Sequence, residues 1–388
     1  MNIGAAFTLI RNGASIKQTD SAGGIPITRI ETIANRVIDR NHMGYADIYN
    51  GDKYSSYFLR DGDILMSHIN SIQHLGKAAI YHPLDEKEKI IHGMNLLVLR
   101  ANQKILDNQF AYFYFSSDSF LHKLPRITKK SVNQASFTVS ELKKIDIPCP
   151  ALSQQHKIAN ILSIIQTLCN KRNEQLKIFD ELVKSRFLEM FGHSDRPKVR
   201  LGECCIINPK KSSDIRLVDN DLMVSFVSMS DVSEDGRIVT CNYKQYESVK
   251  SGFTYFSEND VLFAKITPCM ENGKGGIAKG LLNGIGFGST EFHVLRPVDQ
   301  VSNSCWLYEL TSFPQFRQAA EINMTGSAGQ RRVPASFLAN YKVSLPPISL
   351  QNQFADFVHQ LDKSKMAVQK SLDELEILKK SLMQTYFG

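Results

Sequence analysis

Two long segments of the chain, residues 154–191 and 350–387, carry apolar residues at helical spacing and contain neither proline nor glycine. Each follows a proline-containing stretch and a serine that can cap a helix, Ser153 or Ser349, and each is followed by a glycine, where helices commonly end. At about 1.5 Å per residue, a helix of this length spans about 57 Å. The pattern therefore predicts two helices much longer than those of most globular domains.

A helix of this length cannot bury its apolar stripe inside a small domain, so each predicted helix needs a long partner. The other predicted helix is the obvious partner. The polar run KRNEQ at 171–175 leaves a second interpretation open, in which a turn splits the segment and each copy forms an independent helical hairpin.

The remaining chain shows short apolar runs that are typical of strands, such as GDILMSHI, MNLLVLR, LMVSFVSM, DVLFAKI and FHVLRP. Two segments, FAYFYFSSDSFLHKL and CWLYELTSFPQFRQAA, are typical of helices. The glycine- and asparagine-rich stretch at 271–290 is interpreted as a connection between strands. Together these patterns predict an α+β fold class for the globular parts.

The chain repeats itself at a fixed shift. The ending SRFLEMFG, which closes at Gly192, recurs 196 residues later as KSLMQTYFG, which closes at Gly388. The same shift aligns Leu142 with Leu338, Pro150 with Pro346, Ser153 with Ser349, Gln155 with Gln351 and Ala159 with Ala355. Upstream, LRDGDILMSHI aligns with FSENDVLFAKI, and HGMNLLVLR aligns with GSTEFHVLR. The repeat predicts two copies of one unit, with globular parts at 1–150 and 193–346 and long helices at 151–192 and 347–388.

Composition adds little to this picture. The 388 residues are 43% hydrophobic and 22% charged, values of an ordinary globular protein, and the net charge of +7 permits a polyanionic partner without requiring one. The seven cysteines include no C-x-x-C pair, so neither a disulfide framework nor a metal site is expected. The start of the chain does not resemble a signal peptide and no run of 18 apolar residues occurs, so a cytoplasmic protein is expected.

Motifs of DNA-modifying or nucleotide-binding enzymes are incomplete in this sequence. The run NPKK at 208–211 lacks the aromatic residue with which the Asn-Pro-Pro-aromatic motif of amino-methyltransferases holds a flipped base. The triplet GKG at 273–275 lacks the spacing and the hydroxyl of a phosphate-binding loop. No catalytic residue is therefore predicted.

Three further features are interpreted as structural. Gly284, Gly286 and Gly288 form G-x-G-x-G without a strand and helix around it, which favours a surface connection. The run DEKEK at 85–89 is interpreted as a solvated charged loop, and His293, inside an apolar strand, as a core residue.

The copies of the duplicated tail are CPALSQQHKIANILSIIQ…FDELVKSRFLEMFG and LPPISLQNQFADFVHQLDKSK…KSLDELEILKKSLMQTYFG, and the segment NDVLFAKITPCMENGKGG…GFGSTEFHVLRP precedes the second. The tail resembles the specificity (S, HsdS) subunit of type I restriction-modification systems, and the preceding segment is similar to a target recognition domain of that family. The first copy departs from this pattern, because HINSIQHLGKA stands where the second has KITPCMENGKG. The resemblance covers nearly the whole chain.

The resemblance implies a non-catalytic protein with two target recognition domains, each reading one half of a split sequence in double-stranded DNA. The two helices are expected to form an antiparallel coiled coil that relates the domains by pseudo-two-fold symmetry, sets their spacing and docks two methyltransferase (M) subunits. This chain would bind no cofactor itself. S-adenosylmethionine would belong to the M subunits, and ATP and Mg to the restriction (R) subunits.

Two groups of polar residues are candidates for DNA contact. One precedes each long helix and combines basic with amide side chains, which suit phosphate anchoring and base-edge readout. Its members are Lys129, Lys130, Asn133 and Gln134 in the first copy and Gln330, Arg331 and Arg332 in the second. A charged surface loop with no DNA role is the alternative.

The second candidate group follows the GDIL and NDVL strands, where polar side chains stand next to glycines that permit close backbone approach. It comprises Ser67, His68, Asn70, Ser71 and Gln73 in the first copy, and Lys265, Thr267, Glu271, Asn272 and Lys274 in the second. Thr290 and Glu291 either contact DNA or brace this loop.

Three function classes are compared. A DNA specificity subunit accounts for the repeat and for the polar groups. A coiled-coil scaffold that binds only protein partners is the alternative, and the DNA affinity of the assembled complex discriminates between them. A self-contained modification enzyme is disfavoured by the missing methyl-donor and base-flipping motifs.

Overall fold

Two continuous helices of 40 residues dominate the chain. A computed structural model describes residues 1–20, 23–49, 52–131, 134–192, 197–217, 221–234, 236, 238, 242–327 and 329–388. Its helices are α1 (Ile3–Ala6), α2 (Asn108–Ser116), α3 (Asp118–Leu121), α4 (Val139–Lys144), α5 (Leu152–Phe191), α6 (Leu201–Cys204), α7 (Tyr246–Val249), α8 (Ser304–Ser312), α9 (Pro314–Ile322), α10 (Ala335–Asn340) and α11 (Ile348–Phe387).

Helices α5 and α11 are the predicted long helices. Each begins within the predicted helix bounds of 151–192 and 347–388 and two residues before the apolar segments at 154 and 350. Ser153 and Ser349 therefore lie inside the first turn, and the prediction that they cap the helices is wrong. Helix α5 runs without a break through 171–175, so the interpretation as two helical hairpins is wrong as well.

The strands are short and fall into two sets. The first set is β1 (Phe7–Asn12), β2 (Gln18–Thr19), β3 (Ile25–Thr28), β4 (Met43–Ala46), β5 (Ile64–Ser67), β6 (Ile69–Asn70), β7 (Ala78–Ile80), β8 (Leu96–Ala101), β9 (Lys129–Lys130) and β10 (Ala135–Ser136). The second set is β11 (Lys198–Arg200), β12 (Cys205–Ile207), β13 (Met223–Val227), β14 (Asn242–Gln245), β15 (Thr254–Ser257), β16 (Val261–Ala264), β17 (Gly275–Ile277), β18 (Ile285–Gly288), β19 (Phe292–Pro297) and β20 (Lys342–Ser344).

The chain divides into two compact units whose bounds differ from those of the two sequence copies. Unit 1 comprises Met1–Asn173 and Gln369–Gly388, and unit 2 comprises Glu174–Val368. Each unit therefore contains one globular part, half of α5 and half of α11. The four-segment division at 150, 192 and 346 stays a prediction about the repeat.

The same antiparallel sheet lies in each unit. Its strand order is β1-β8-β5-β7 in unit 1 and β12-β19-β16-β17 in unit 2, and equivalent strands start 196 to 198 residues apart. The core of unit 1 packs this sheet against α2 and α3, with Phe110, Phe115 and Phe120 fully buried. The core of unit 2 packs its sheet against α8 and α9, with Trp306 and Phe316 buried. The predicted α+β class with an internal repeat is confirmed.

The units differ in their additional sheets. Unit 1 adds the three-stranded sheet β2-β4-β3, and unit 2 adds the four-stranded sheet β14-β13-β18-β15. The glycine-rich stretch at 271–290 supplies two of the unit 2 strands, β17 and β18, so its interpretation as a connection is wrong. A Cβ on Gly286 would lie 2.1 Å from Cε2 of Phe256, so this buried strand requires glycine for close packing.

Within each unit, the segments of α5 and α11 run in opposite directions. In unit 1, Lys379 donates to the side chain of Gln166, and Phe387 packs on Phe110 with ring centroids 5.1 Å apart. In unit 2, Lys365 donates to Asp180 at 2.6 Å, and Phe354 packs on Phe191 at 5.4 Å. The last phenylalanine of α5 thus packs on the start of α11, and that of α11 packs on α2 of unit 1. The predicted antiparallel pair is confirmed.

The charged run at 85–89 is only partly solvated. Glu88 accepts hydrogen bonds from Nε and Nη2 of Arg40, at 2.6 and 2.9 Å, and from the Tyr81 hydroxyl at 2.9 Å. These bonds, first of all those from Arg40, lower the pKa of Glu88 to about 2. This residue therefore ties the loop to unit 1, which corrects the expectation of a wholly solvated run.

Candidate nucleic-acid interface

Three segments of unit 2 meet beside the end of β16. They are the loop at 265–274, the turn at 289–291 and a hairpin whose described residues are 325–327 and 329–333. The Lys265 amide donates to the Glu291 carbonyl at 2.9 Å, and the Val333 amide donates to the Lys265 carbonyl at 2.9 Å. The Thr267 amide donates to the Arg331 carbonyl at 3.0 Å. The two candidate groups of the second copy therefore form one surface.

Arg332 and Glu291 form the strongest ion pair of this surface. Nη2 of Arg332 lies 2.8 Å from Oε1 of Glu291, and Nε lies 2.9 Å from Oε2. The hydrogen bonds from Arg332 lower the pKa of Glu291 and raise the pKa of Arg332. The Glu291 side chain thus braces the hairpin, a role that differs from the two predicted for it, contact with DNA and bracing of the loop at 265–274.

Arg331 points into an acidic surrounding on the same surface. Its Nη2 lies 3.7 Å from Oε1 of Glu271 and 3.8 Å from Oε1 of Glu321. The Thr267 hydroxyl donates to Oε1 of Glu271 at 2.7 Å, which fixes that carboxylate. Glu321 was missed at the sequence level because it lies on α9, far along the chain from the loop.

The other predicted residues of unit 2 surround this centre. Asn272, Thr290 and Gln330 are exposed. Lys265 is partly buried, and its charge adds to the lowering of the pKa of Glu291. Lys274 donates to the Met229 carbonyl at 3.1 Å and is therefore held against its own domain.

In unit 1, the small sheet β6-β10-β9 brings the two candidate groups together. Asn70 pairs with Ala135, and Lys129 pairs with Ser136. Lys129, Lys130, Gln134 and Gln73 are exposed, and Ser71 is partly buried. Asn133 lies outside the described residues.

Ser67 and His68 are buried in unit 1. Their exposed fractions are 1% and 4%. The His68 ring packs edge-on against Phe137 with centroids 6.3 Å apart, and burial lowers its pKa, which favours the neutral ring. These two side chains lie in the interior of unit 1, so the expectation that they reach base edges is wrong.

The two surfaces are built from equivalent backbone positions. Ser136 pairs with Ile69 and Lys129 in unit 1, and Arg332 bridges to Ile266 and Thr325 in unit 2. These positions differ by 196 or 197 residues, the shifts of the repeat. The backbone of the site is therefore duplicated, whereas its side chains differ.

A buried ion pair joins the two central strands of the repeated sheet in each unit. Arg296 donates to both oxygens of Asp260 at 2.8 and 2.7 Å, and Asp260 also accepts from the Ser257 amide at 2.7 Å. Asp63 and Arg100 form the same pair in unit 1. Both pairs lie in segments that the repeat aligns. The recurrence of an aspartate and an arginine at matching positions could therefore have indicated them from the sequence.

A buried glutamine joins each long helix to its unit. Gln351 accepts from the Asn303 amide at 3.0 Å and donates to the carbonyls of Val301 and Pro346, each at 2.9 Å. Gln155 makes the equivalent bonds in unit 1. The start of each helix is thus fixed to the loop before α2 or α8.

The residues examined for enzyme chemistry have structural roles. Oδ1 of Asn208 accepts from the Val294 amide at 3.0 Å, and buried His293 lies 2.8 Å from the Val333 carbonyl. In the described part of the chain, no group of three or more His, Cys, Asp or Glu residues could hold a metal ion. No helix among the described residues is long and apolar enough to cross a membrane.

Comparison with known proteins identifies the same family in both halves. The model of the type I restriction modification DNA specificity domain matches residues 2–178 and 194–376. The putative type I restriction enzyme MjaX specificity subunit of Methanocaldococcus jannaschii is 36% identical over 200 residues, which cover 50% of this chain and 47% of that protein. The type I restriction enzyme EcoEI specificity subunit of Escherichia coli is 37% identical over 193 residues, covering 48% and 32%. The matched part is thus less than half of each relative.

The fold has a counterpart among solved structures. The crystal structure of the type I restriction-modification system S subunit from M. genitalium has a TM-score of 0.60 at 14% identity, covering 100% of this chain and 95% of that one. At this identity the similarity supports the fold alone. Because the family model matches both halves, the chain belongs to the type I restriction-modification DNA specificity family, with one specificity domain in each half.

Proposed function

We propose that this chain is the non-catalytic DNA specificity subunit of a type I restriction-modification complex. The observation that carries the proposal is the duplicated surface, built at equivalent positions in both units of a chain from the specificity family. A protein that reads two separated half-sites needs such a pair of similar surfaces on a common frame.

Each unit reads its own half of a bipartite target. The equivalent positions carry different side chains, Lys129 against Thr325 and Ser136 against Arg332. Since side chains at base edges decide sequence preference, the two half-sites differ. Exposed Lys129 and Lys130 supply phosphate contacts in unit 1, and the arginines of unit 2 lie beside polar side chains that can reach base edges.

The long helices set the spacing and dock partner proteins. Three apolar side chains of α5 in unit 1 are 39 to 53% exposed although they follow helical spacing, namely Ile161, Ile164 and Leu168. Three more are exposed on α5 in unit 2, Ile178, Leu182 and Leu188. An apolar stripe left in water favours a protein partner. We assign it to two methyltransferase (M) subunits, one for each copy of the repeat.

The chemistry of the complex belongs to the partners in this proposal. The M subunits bind S-adenosylmethionine and methylate adenine, and restriction (R) subunits use ATP and Mg. The complex acts on chromosomal DNA and hence in the cytoplasm.

Two measurements test the proposed function. Mapping methylated bases in the host genome with and without the gene is expected to show one bipartite motif that disappears with the gene. The purified chain with its M subunits is expected to bind a duplex carrying that motif more tightly than a scrambled duplex. Equal binding to both would favour the protein-only scaffold, and methyl transfer by the isolated chain would contradict a non-catalytic role.

A further inference from the structure

Two adjacent arginines of unit 2 are engaged in different ways. Arg332 donates from Nε and Nη2 to Glu291 and from Nη1 to the Gln330 carbonyl at 3.1 Å. Its guanidinium is therefore committed to the protein. The two side chains are about equally exposed, at 40% for Arg331 and 41% for Arg332, but the Arg331 guanidinium approaches carboxylates no closer than 3.7 Å. Within the described residues it makes no hydrogen bond, so its donors remain free for a ligand.

The surroundings of Arg331 hold it in place without using its donors. Glu271 and Glu321 attract the guanidinium from 3.7 and 3.8 Å. Glu271 cannot swing towards it freely, because Oε1 accepts from the Thr267 hydroxyl, and Oε2 is buried without a hydrogen-bond partner among the described residues. A long side chain restrained in this way loses less conformational entropy when it binds.

The charge around Arg331 favours a base edge over a phosphate. A phosphate bound to Arg331 would lie close to two carboxylates, and like charges at that distance repel. The major-groove edge of guanine is uncharged and offers two acceptors, O6 and N7, which match the two-pronged guanidinium. This edge therefore fits the free donors and avoids the repulsion.

We infer that Arg331 selects a guanine in the half-site read by unit 2, whereas Arg332 is a positioning residue that acts through Glu291 on the hairpin. This inference rests on the proposed function and adds the base class that one named side chain reads.

Selection from a pool of random duplex DNA tests the inference. The full chain, purified with its M subunits, is used as wild type and as R331K, R331A, R332K and K198A. R331K keeps the charge but loses the planar fork, so it reports base reading apart from folding. K198A removes one exposed positive charge from β11 of the same unit and serves as the matched control.

We expect wild type and K198A to select the same bipartite motif, with a guanine in one half-site that R331K and R331A no longer prefer. The other half-site is unchanged in all variants. Replacing that guanine by 7-deazaguanine removes the N7 acceptor and keeps O6, so it weakens wild-type binding about tenfold and leaves R331A binding unchanged. R332K weakens binding to this half-site without changing the base that is preferred.

Several results would overturn the inference. If R331A weakened binding to all sequences equally and lowered the salt slope by about one, Arg331 would contact a phosphate. If R332K, and not R331K, lost the guanine preference, the roles of the two arginines would be reversed. If the wild-type complex selected no motif, the proposed function itself would fail and the inference with it.

Discussion

Arg100 donates two hydrogen bonds to Asp63, at 2.8 Å from Nε to Oδ1 and 2.7 Å from Nη2 to Oδ2, and the Asp63 side chain is 1% exposed. The pair joins the start of β5 to β8, at the opposite end of β5 from the candidate DNA surface of unit 1. Its equivalent in unit 2, Asp260 with Arg296, has the same geometry, so both repeated sheets contain the same buried brace.

The first prediction concerns this brace. R100A leaves the Asp63 carboxylate buried without its partner, so the free energy of unfolding of unit 1 falls by about 3 kcal/mol. The double variant D63L/R100M removes both charges and recovers most of that loss. Denaturant unfolding followed separately in each unit measures the effect. A loss in R100A no larger than that in an exposed control such as K104A would contradict the role assigned to the pair.

The second prediction concerns the glutamine that fixes α5. Q155L leaves the Asp107 amide and the Pro150 carbonyl without their partner, at a cost of about 1–3 kcal/mol for each buried group that stays unsatisfied, whereas the Ile105 carbonyl still accepts from the Cys149 thiol at 3.2 Å. Hydrogen exchange at the Asp107 amide is expected to accelerate. Q154L, at the exposed neighbouring position, provides the control, and equal exchange in both variants would show that Gln155 does not hold the loop.

The third prediction tests the phosphate contacts of unit 1. K129A/K130A removes two exposed charges from β9, so the slope of log K against log salt becomes smaller by about two. K143A/K144A removes two exposed charges from α4 of the same unit and is expected to leave the slope unchanged. The measurement is binding of the assembled complex to its motif between about 50 and 200 mM salt. Identical slopes for both double variants would exclude β9 from the interface.

The fourth prediction tests the helices as a spacer. Seven residues inserted after Asn173 in α5 and seven after Val368 in α11 lengthen both helices by about 10.5 Å and rotate them by only about 20°. The gap between the half-sites is expected to grow by about three base pairs, at 3.4 Å each, with both half-sites unchanged. Methylation mapping reads the motif. An unchanged gap in a complex that still methylates would refute the spacer role.

The fifth prediction is a pH dependence of unit 2. Burial raises the pKa of Glu309 to about 7, with the carboxylates of Asp362 and Asp180 acting in the same direction and Lys365 and Lys184 opposing them. Folded unit 2 therefore binds this proton more tightly than the unfolded chain does. The stability that the bound proton contributes is lost as pH rises from about 4.5 to 7.

E309Q removes the titrating group and should flatten this dependence while raising the melting temperature at pH 8. Thermal unfolding between pH 5 and pH 8 measures it, with E321Q as the exposed control. A wild-type melting temperature that rose over this range in step with E309Q would contradict the assignment.

The regular parts of the fold were predictable from local patterns. The stripe from Ile158 to Phe191 predicted α5, because helical periodicity is a property of neighbouring residues. The glycine-rich stretch at 271–290 was wrongly predicted to be a connection, because β17 and β18 depend on strands distant in sequence. Gly286 of β18, for example, permits the close approach of Phe256. Local propensity contains no information about such a neighbour.

The candidate site was predictable as a set of residues but not as an arrangement. Composition and the repeat indicated Arg331 and Arg332 together, since both are basic and adjacent. Which of the two guanidinium groups keeps unused hydrogen-bond donors depends on Glu291, which lies in a turn, and on Glu321, which lies in α9. Ser67 and His68 have polar side chains that suggested contact, yet their place at the end of a buried strand removes them from the surface.

The sequence by itself determined the duplication, the long helices and the membership of a specificity family, because these follow from periodicity and from the alignment of the chain with itself. Only the tertiary structure decided which halves of the helices share a unit, and which polar side chains have donors to spare. Packing and hydrogen bonding between distant segments control both, so no pattern of neighbouring residues could supply them.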